Sequence, residues 1–154
     1  MKHPRTLVAA LTLSAAGFVG ILSRENYQEQ AYADPTYGWQ VPTIGFGTTE
    51  GVKQGDTLKV VPAIQRALTD ANQFEGALKR CVKVPLNQAE YDLYVNLSYN
   101  IGSTAFCGST LVKRLNQQDY VGACDAILMW KRSNGQDCSA EGNRTCLGLW
   151  KDRL

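Results

Sequence analysis

Apolar and polar positions follow several patterns along this chain. From Leu7 to Leu22 there are sixteen residues without a charge, preceded by Lys2, His3 and Arg5. A positive start followed by a short apolar run reads as an export signal. As a helix the run would span about 24 Å, short of a hydrocarbon core of roughly 30 Å. Half of it is Ala, Gly, Ser or Thr, so insertion is only weakly favourable. We expect an uncleaved segment that inserts weakly and can leave the membrane. The alternative is a signal cut near Ala16. The small-x-small motif Ala31-Tyr32-Ala33 lies eleven residues past Leu22, far for a signal peptidase, and a cut there would discard Glu25.

Residues 23–34 are expected to open with a short helix. From Pro35 to Thr49, Gly38, Pro42, Gly45 and Gly47 punctuate aromatic and β-branched residues, which predicts twisted hairpin strands with tight turns. Asp56 or Thr57 marks a cap region, and Pro62 fits a first helical turn. Ala63, Ala67, Ala71, Phe74 and Leu78 recur at helical spacing, predicting a long helix to about Arg80. Pro85 and Asn87 start another, with Leu86, Ala89, Leu93, Leu97 and Ile101 on one face and Gly102 as its stop. Ser109 should cap a helix to Asn116. Asp119 should cap one to Trp130, with Ala123, Ile127 and Trp130 inward. Residues 133–145 read as loop, with a last short helix from Leu147. The class is α+β: a small N-terminal lobe with a β-hairpin, a long connecting helix and a helical C-terminal lobe. A segment of residues 1–22 precedes a domain of residues 23–154. A cleft between two such lobes would suit a polymer.

Composition narrows the chemistry. The 154 residues suit one domain with a real core, and 44% apolar with 19% charged content reads as globular. A net charge of +2 argues no nucleic-acid partner; it mildly favours an anionic polymer. The five cysteines are too scattered for a zinc pattern and His3 is the only histidine, so neither metal nor cofactor is expected. They point instead to disulfides in an oxidising compartment. Cys138 with Cys146 would close a local loop, and Cys81 with Cys107 is the second expected bridge. We expect a monomer.

Glu25 and Asp34 lie nine residues apart, Asp34 just before the hairpin pattern. Cutting a glycosidic bond takes a proton donor for the leaving oxygen and a second carboxylate across the bond. A Glu among apolar neighbours can stay protonated, while an Asp in a solvated turn stays ionised. The hydroxyl of Thr43, at the head of a strand, would hold a water. Spacing alone does not single the pair out, because such pairs are common on solvated surfaces. Glu29 reads as a helix-face charge, Glu50 as surface, and Glu90 and Asp92 as structural. Tyr91, Tyr94, Tyr99, Trp130 and Trp150 read as core. Ser109 is a cap and not a nucleophile, since no histidine is placed to activate it.

Thr43-Ile-Gly-Phe-Gly-Thr-Thr49 resembles the Thr-Ile-Gly-Tyr-Gly-His-Thr motif of the phage-type lysozymes, glycoside hydrolase family 24. Asn87-Gln-Ala-Glu-Tyr-Asp-Leu-Tyr-Val-Asn-Leu-Ser-Tyr-Asn-Ile-Gly102 resembles that family's helix signature, and Phe106-Cys-Gly-Ser-Thr-Leu111 and Gly148-Leu149 fit later segments. The resemblance runs from about Ser23 onward. It implies a two-lobe α+β fold and hydrolysis of the β-1,4 bond between N-acetylmuramic acid and N-acetylglucosamine in peptidoglycan, hence host cell lysis. By it Glu25 would be the general acid, Asp34 would orient or activate the water, and Thr43 would help hold it. The apolar start resembles the signal-anchor-release segment of some endolysins. This implies tethering to the host inner membrane through residues 7–22 and release to the periplasm. Four departures stand out. Thr48 replaces the family histidine, so any pairing made by that histidine is expected to be absent. The span from Asp34 to Thr43 is about three residues longer than usual, and Pro35 follows Asp34 directly. The family commonly continues past Gly-Leu with a basic helix and often a cysteine, so Cys124 is expected to lack its partner. The alternative functions are a catalytically degenerate, membrane-anchored peptidoglycan-binding module and chitinase-like cleavage of a related polymer.

Overall fold

The structure, a computed structural model, describes residues 4–35, 37–133, 136–137 and 139–140. The chain divides into two compact units, one reaching to Cys107 and one starting at Gly108.

The first unit opens with an extended arm. Thr6 pairs with Leu86, a single 3₁₀ turn covers Val8–Ala10, and Leu11 to Leu13 carry no regular structure. Helix α1 (Ala15–Arg24) follows, capped by the Ser14 hydroxyl, which accepts from the Gly17 N–H. The run from Leu7 to Leu22 is thus broken, and among the described residues no helix is long and apolar enough to cross a membrane. The helix expected within 23–34 is displaced. It ends at Arg24, and residues 28–34 form strand β1 (Gln28–Asp34), antiparallel to β2 (Gly38–Gly45). Bonds from Leu58 to the Glu29 carbonyl and from Ala31 to the Asp56 carbonyl recruit this segment into strand. Glu29 is therefore a strand residue, ion-paired with Lys59, and not a helix-face charge.

The hairpin register absorbs the longer span. Ala33 faces Pro42 while Asp34 faces Gly38, so one step along β1 answers four along β2. The three surplus residues, Trp39, Gln40 and Val41, lie in that irregularity, and Thr43 stays opposite Tyr32.

Helix α2 (Val60–Cys81) carries Pro62 in its first turn, as expected, and buries Ala63, Ala67, Ala71 and Leu78. The small alanines let Phe46 close over them, with Phe18, Leu22, Tyr27, Leu58 and Ile64 packed around. Helix α3 (Gln88–Ile101) starts with a capping box: Asn87 accepts from the Glu90 N–H and Glu90 from the Asn87 N–H. Its buried face is rotated from the one expected. Ala89 and Leu93 are exposed, whereas Tyr91, Tyr94, Val95, Leu97 and Ser98 are buried. Apolar residues run nearly all round this helix, so its contacts with α1, α2 and α4 (Ser103–Cys107) decide the face. A disulfide joins Cys81 at the end of α2 to Cys107 at the end of α4, as expected from the sequence.

The second unit contains α5 (Thr110–Asn116), capped by Ser109, and α6 (Tyr120–Ile127), capped by Asp119. Ala123 and Ile127 are buried as expected, but α6 stops three residues short of Trp130, which is half-buried. Strands β3 (Arg132–Ser133) and β4 (Gln136–Asp137) pair at the start of the stretch 133–145 expected to be loop, β3 beginning one residue before it. Cys124 is free and exposed. The Cys138–Cys146 pairing, the helix from Leu147 and Trp150 lie outside the described residues.

Candidate active site

Glu25 sits where α1 stops. Its backbone N–H donates to the Ile21 carbonyl at 3.2 Å, so the last helical turn fixes where its side chain starts. Burial among the groups around the end of α1 pushes its carboxyl pKa up. Gly47, at φ +82°, lies directly against that carboxyl: a Cβ there would stand 3.2 Å from Glu25 Oε2. A side chain at position 47 would press on the carboxyl as well as strain the backbone.

Asp34 ends β1. Its Oδ1 accepts the Tyr37 N–H at 2.8 Å, which closes the Pro35-containing turn in an Asx-type arrangement. Thr43 is buried, 4% exposed, and its hydroxyl donates to the Val41 carbonyl at 3.2 Å. That bond leaves the hydroxyl oxygen free to accept.

Tyr32 links the three expected residues. It faces Thr43 across the hairpin. Its hydroxyl pKa is raised by burial, then by the negative charge of Glu25, then by that of Asp34. Both carboxylates therefore act on one phenol. In the sequence Tyr32 stands out only as the middle of a small-x-small motif. Its separation of two from Asp34 on a strand, which puts alternate side chains on one face, was the available signal.

Next to Gly47 lies a cavity of about 280 Å³ lined by Thr48, Thr49, Glu50, Asp70, Gln73, Phe74 and Tyr99. Tyr99 donates to the Phe46 carbonyl at 2.8 Å and packs at a tilt of 55° against Phe74, with centroids 5.2 Å apart. Its hydroxyl pKa is raised, first by burial and then by Asp70, Glu25 and Tyr32. Of the tyrosines read as core, Tyr91 and Tyr94 are buried, but Tyr99 lines this cavity.

Thr48 does not leave its position unpaired, contrary to expectation. The buried Thr48 hydroxyl donates to Asp70 Oδ2 at 2.5 Å, tying the turn after β2 to the middle of α2. Thr48→Val keeps the shape and removes the donor. It should cost about 1–2 kcal/mol, since a hydrogen bond to a charged group is lost while water still reaches the half-buried Asp70. Urea unfolding at neutral pH measures it.

A family profile described as phage lysozyme matches residues 23–145. The endolysin of Salmonella phage P22 is 35% identical over 132 residues, covering 82% of this chain and 88% of that protein. The SAR-endolysin of Pseudomonas phage phiKMV is 35% identical over 130 residues, covering 83% and 79%. The solved structure of the endolysin from Escherichia coli O157:H7 phage FAHEc1 superimposes with a TM-score of 0.76 at 33% identity, covering 94% of this chain and 89% of that one. The crystal structure of P22 lysozyme mutant L86M superimposes with a TM-score of 0.71 at 32% identity, covering 93% of this chain and 95% of that one. The mixed fold, with its two-stranded antiparallel hairpin and six α-helices among the described residues, is that of these two structures. By profile, relatives and fold together, the chain belongs to the phage lysozyme family and is a glycoside hydrolase.

Proposed function

We propose that this chain is an endolysin muramidase that cuts the β-1,4 bond between N-acetylmuramic acid and N-acetylglucosamine in peptidoglycan. Glu25 is the general acid, Asp34 activates or orients the attacking water, and Thr43 helps hold that water. The observation that carries the assignment is the seat of Glu25. Its half-buried carboxyl lies against Gly47 and burial favours its protonated form, while Asp34, also half-buried, accepts the Tyr37 N–H in the turn at the hairpin end. Glu25 gives its proton to the leaving glycosidic oxygen as the C–O bond breaks. Water attacks the anomeric carbon, and its proton passes to a carboxylate.

Residues 1–22 act in this reading as a signal-anchor ahead of a catalytic domain of residues 23–154, working as a monomer. The tethered protein stands in the host inner membrane and acts in the periplasm after release. The charge-free run Leu7 to Leu22 and the SAR-endolysin relatives support this. So does the seat of Phe18 and Leu22 against Phe46, Ala63 and Ala67. While the run lies in the bilayer, those two side chains are withheld from the core and Glu25 is out of register, a two-state switch. A membrane-tethered form that cleaved walls at the full released rate would refute the switch.

Digestion of purified sacculi followed by borohydride reduction tests the activity. Clearance with muramitol at the new ends is expected. Binding without clearance would make the protein a wall-binding module, and reduced glucosamine ends would make it a different glycosidase.

A further inference from the structure

The start of α1 is seated on two carboxylates that the proposed chemistry does not use. Asp92 on α3 accepts from the Ser14 N–H at 3.0 Å and from the Ser14 hydroxyl at 2.5 Å, and the Gln88 amide donates to it at 2.8 Å. Glu75 on α2, buried, accepts the Leu13 N–H at 2.8 Å and the Tyr91 hydroxyl at 2.6 Å. The Gln88 amide also donates to the Thr12 carbonyl at 2.9 Å. Three consecutive residues before α1 are thus gripped by side chains of α2 and α3.

Helix α1 depends on such a grip. It has ten residues and includes Gly17 and Gly20. Isolated helices below about 12–15 residues are marginal, and each interior glycine costs about 1 kcal/mol. Phe18, Ile21 and Leu22 supply burial, but apolar contact is non-directional and tolerates sliding. Hydrogen bonds to named N–H groups do not tolerate it. A slip of one residue would turn α1 by about 100° and move it about 1.5 Å along its axis, carrying Glu25 away from Gly47. Negative charge at a helix N-terminus also suits the dipole. Gly17 gives independent support. A Cβ there would stand 2.7 Å from Asp92 Cγ and 2.9 Å from Asp92 Cβ, so the helix backbone rests directly on this side chain.

We propose that Asp92 is a positioning residue for Glu25: from the far end of α1 it sets the helix register that places the acid, with Glu75 as its support. The proposal rests on Glu25 being the general acid. Asp92 meets α1 at Ser14 and Gly17, whereas Glu25 follows its last residue, so Asp92 acts without touching the reacting bond.

The test uses the released full-length chain on soluble glycan strands, with kcat normalised to the folded fraction at the assay temperature. Asp92→Ala should lower kcat about 10- to 100-fold, as misplacement by about 1 Å does, with KM within about twofold. Asp92→Asn, which keeps an acceptor oxygen of the same shape, should recover much of that loss. Gly17→Ala leaves every bonding group in place but pushes α1 off Asp92, and should reproduce the fall in kcat. It decides the matter if Asp92→Ala fails to fold. A kcat within about twofold of the parent in a folded Asp92→Ala, with Glu25→Gln inactive, overturns the proposal while sparing the acid assignment. An active Glu25→Gln overturns both.

Discussion

Glu25→Gln should reduce wall lysis by at least ~10²-fold while leaving the protein folded, the loss usual for removal of a general acid. The substitution preserves volume, so the close contact under Gly47 is kept, but the amide has no proton to give the leaving oxygen. Undiminished lysis would remove the proposed mechanism. The same variant should be more stable than the parent at neutral pH. Burial raises the Glu25 pKa above its ordinary value of 4.5, so the folded state binds the proton more tightly than the unfolded chain. Stability attributable to this group is therefore greatest below pH 4.5. It falls as pH rises from there to the folded-state pKa, and is constant above. The advantage of Gln should vanish in acid and open above about pH 4.5; a Tm difference unaffected by pH would contradict the burial of this carboxyl. The alkaline limb of kcat/KM, where the acid loses its proton, should likewise lie above 4.5.

Much of this site was legible in the sequence because it is written locally. The Thr-Ile-Gly-Phe-Gly run marks the turn that lies against Glu25, and Asn87 with Glu90 spells out the cap of α3. The long helix was readable from its alanine spacing, because a single strongly amphipathic face dictates what packs on it. What was not legible depends on partners distant in sequence. Residues 28–34 pair with β2 on one side and bond to Asp56 and Leu58 on the other, and the latter two lie outside any window around residue 30. The face of α3 is chosen by three other helices, since its own apolar residues do not choose. The Thr48–Asp70 bond joins residues 22 positions apart, so a histidine-to-threonine change reads as a loss from the local sequence although the hydroxyl finds a partner. Asp92 looked structural because its work is done 78 residues away, at Ser14.

The second large effect concerns the Cys81–Cys107 bridge, which closes a loop of 26 residues. In the chain-entropy account, tying a loop of that length removes freedom from the unfolded chain worth about 3.5 kcal/mol at 25 °C. For a chain of this size each kcal/mol moves Tm by about 2–4 °C, so breaking the bridge should lower Tm by about 10 °C. The comparison belongs in a Cys124→Ser background, because the exposed thiol of Cys124 can otherwise attack the disulfide and reshuffle it. Cys81→Ala with Cys107→Ala should show this fall, and lysis at 25 °C should survive it. Glu25 directly follows α1 and Asp34 and Thr43 sit on the hairpin, whereas the bridge joins the C-terminal ends of α2 and α4. A fall of under 2 °C would mean that the unfolded chain is already constrained in this loop. The size of the effect bears on export. In the reducing cytosol the bridge does not persist, and in an oxidising compartment it does. On the proposed export route, the enzyme gains this margin of stability only after it leaves the reducing cytosol.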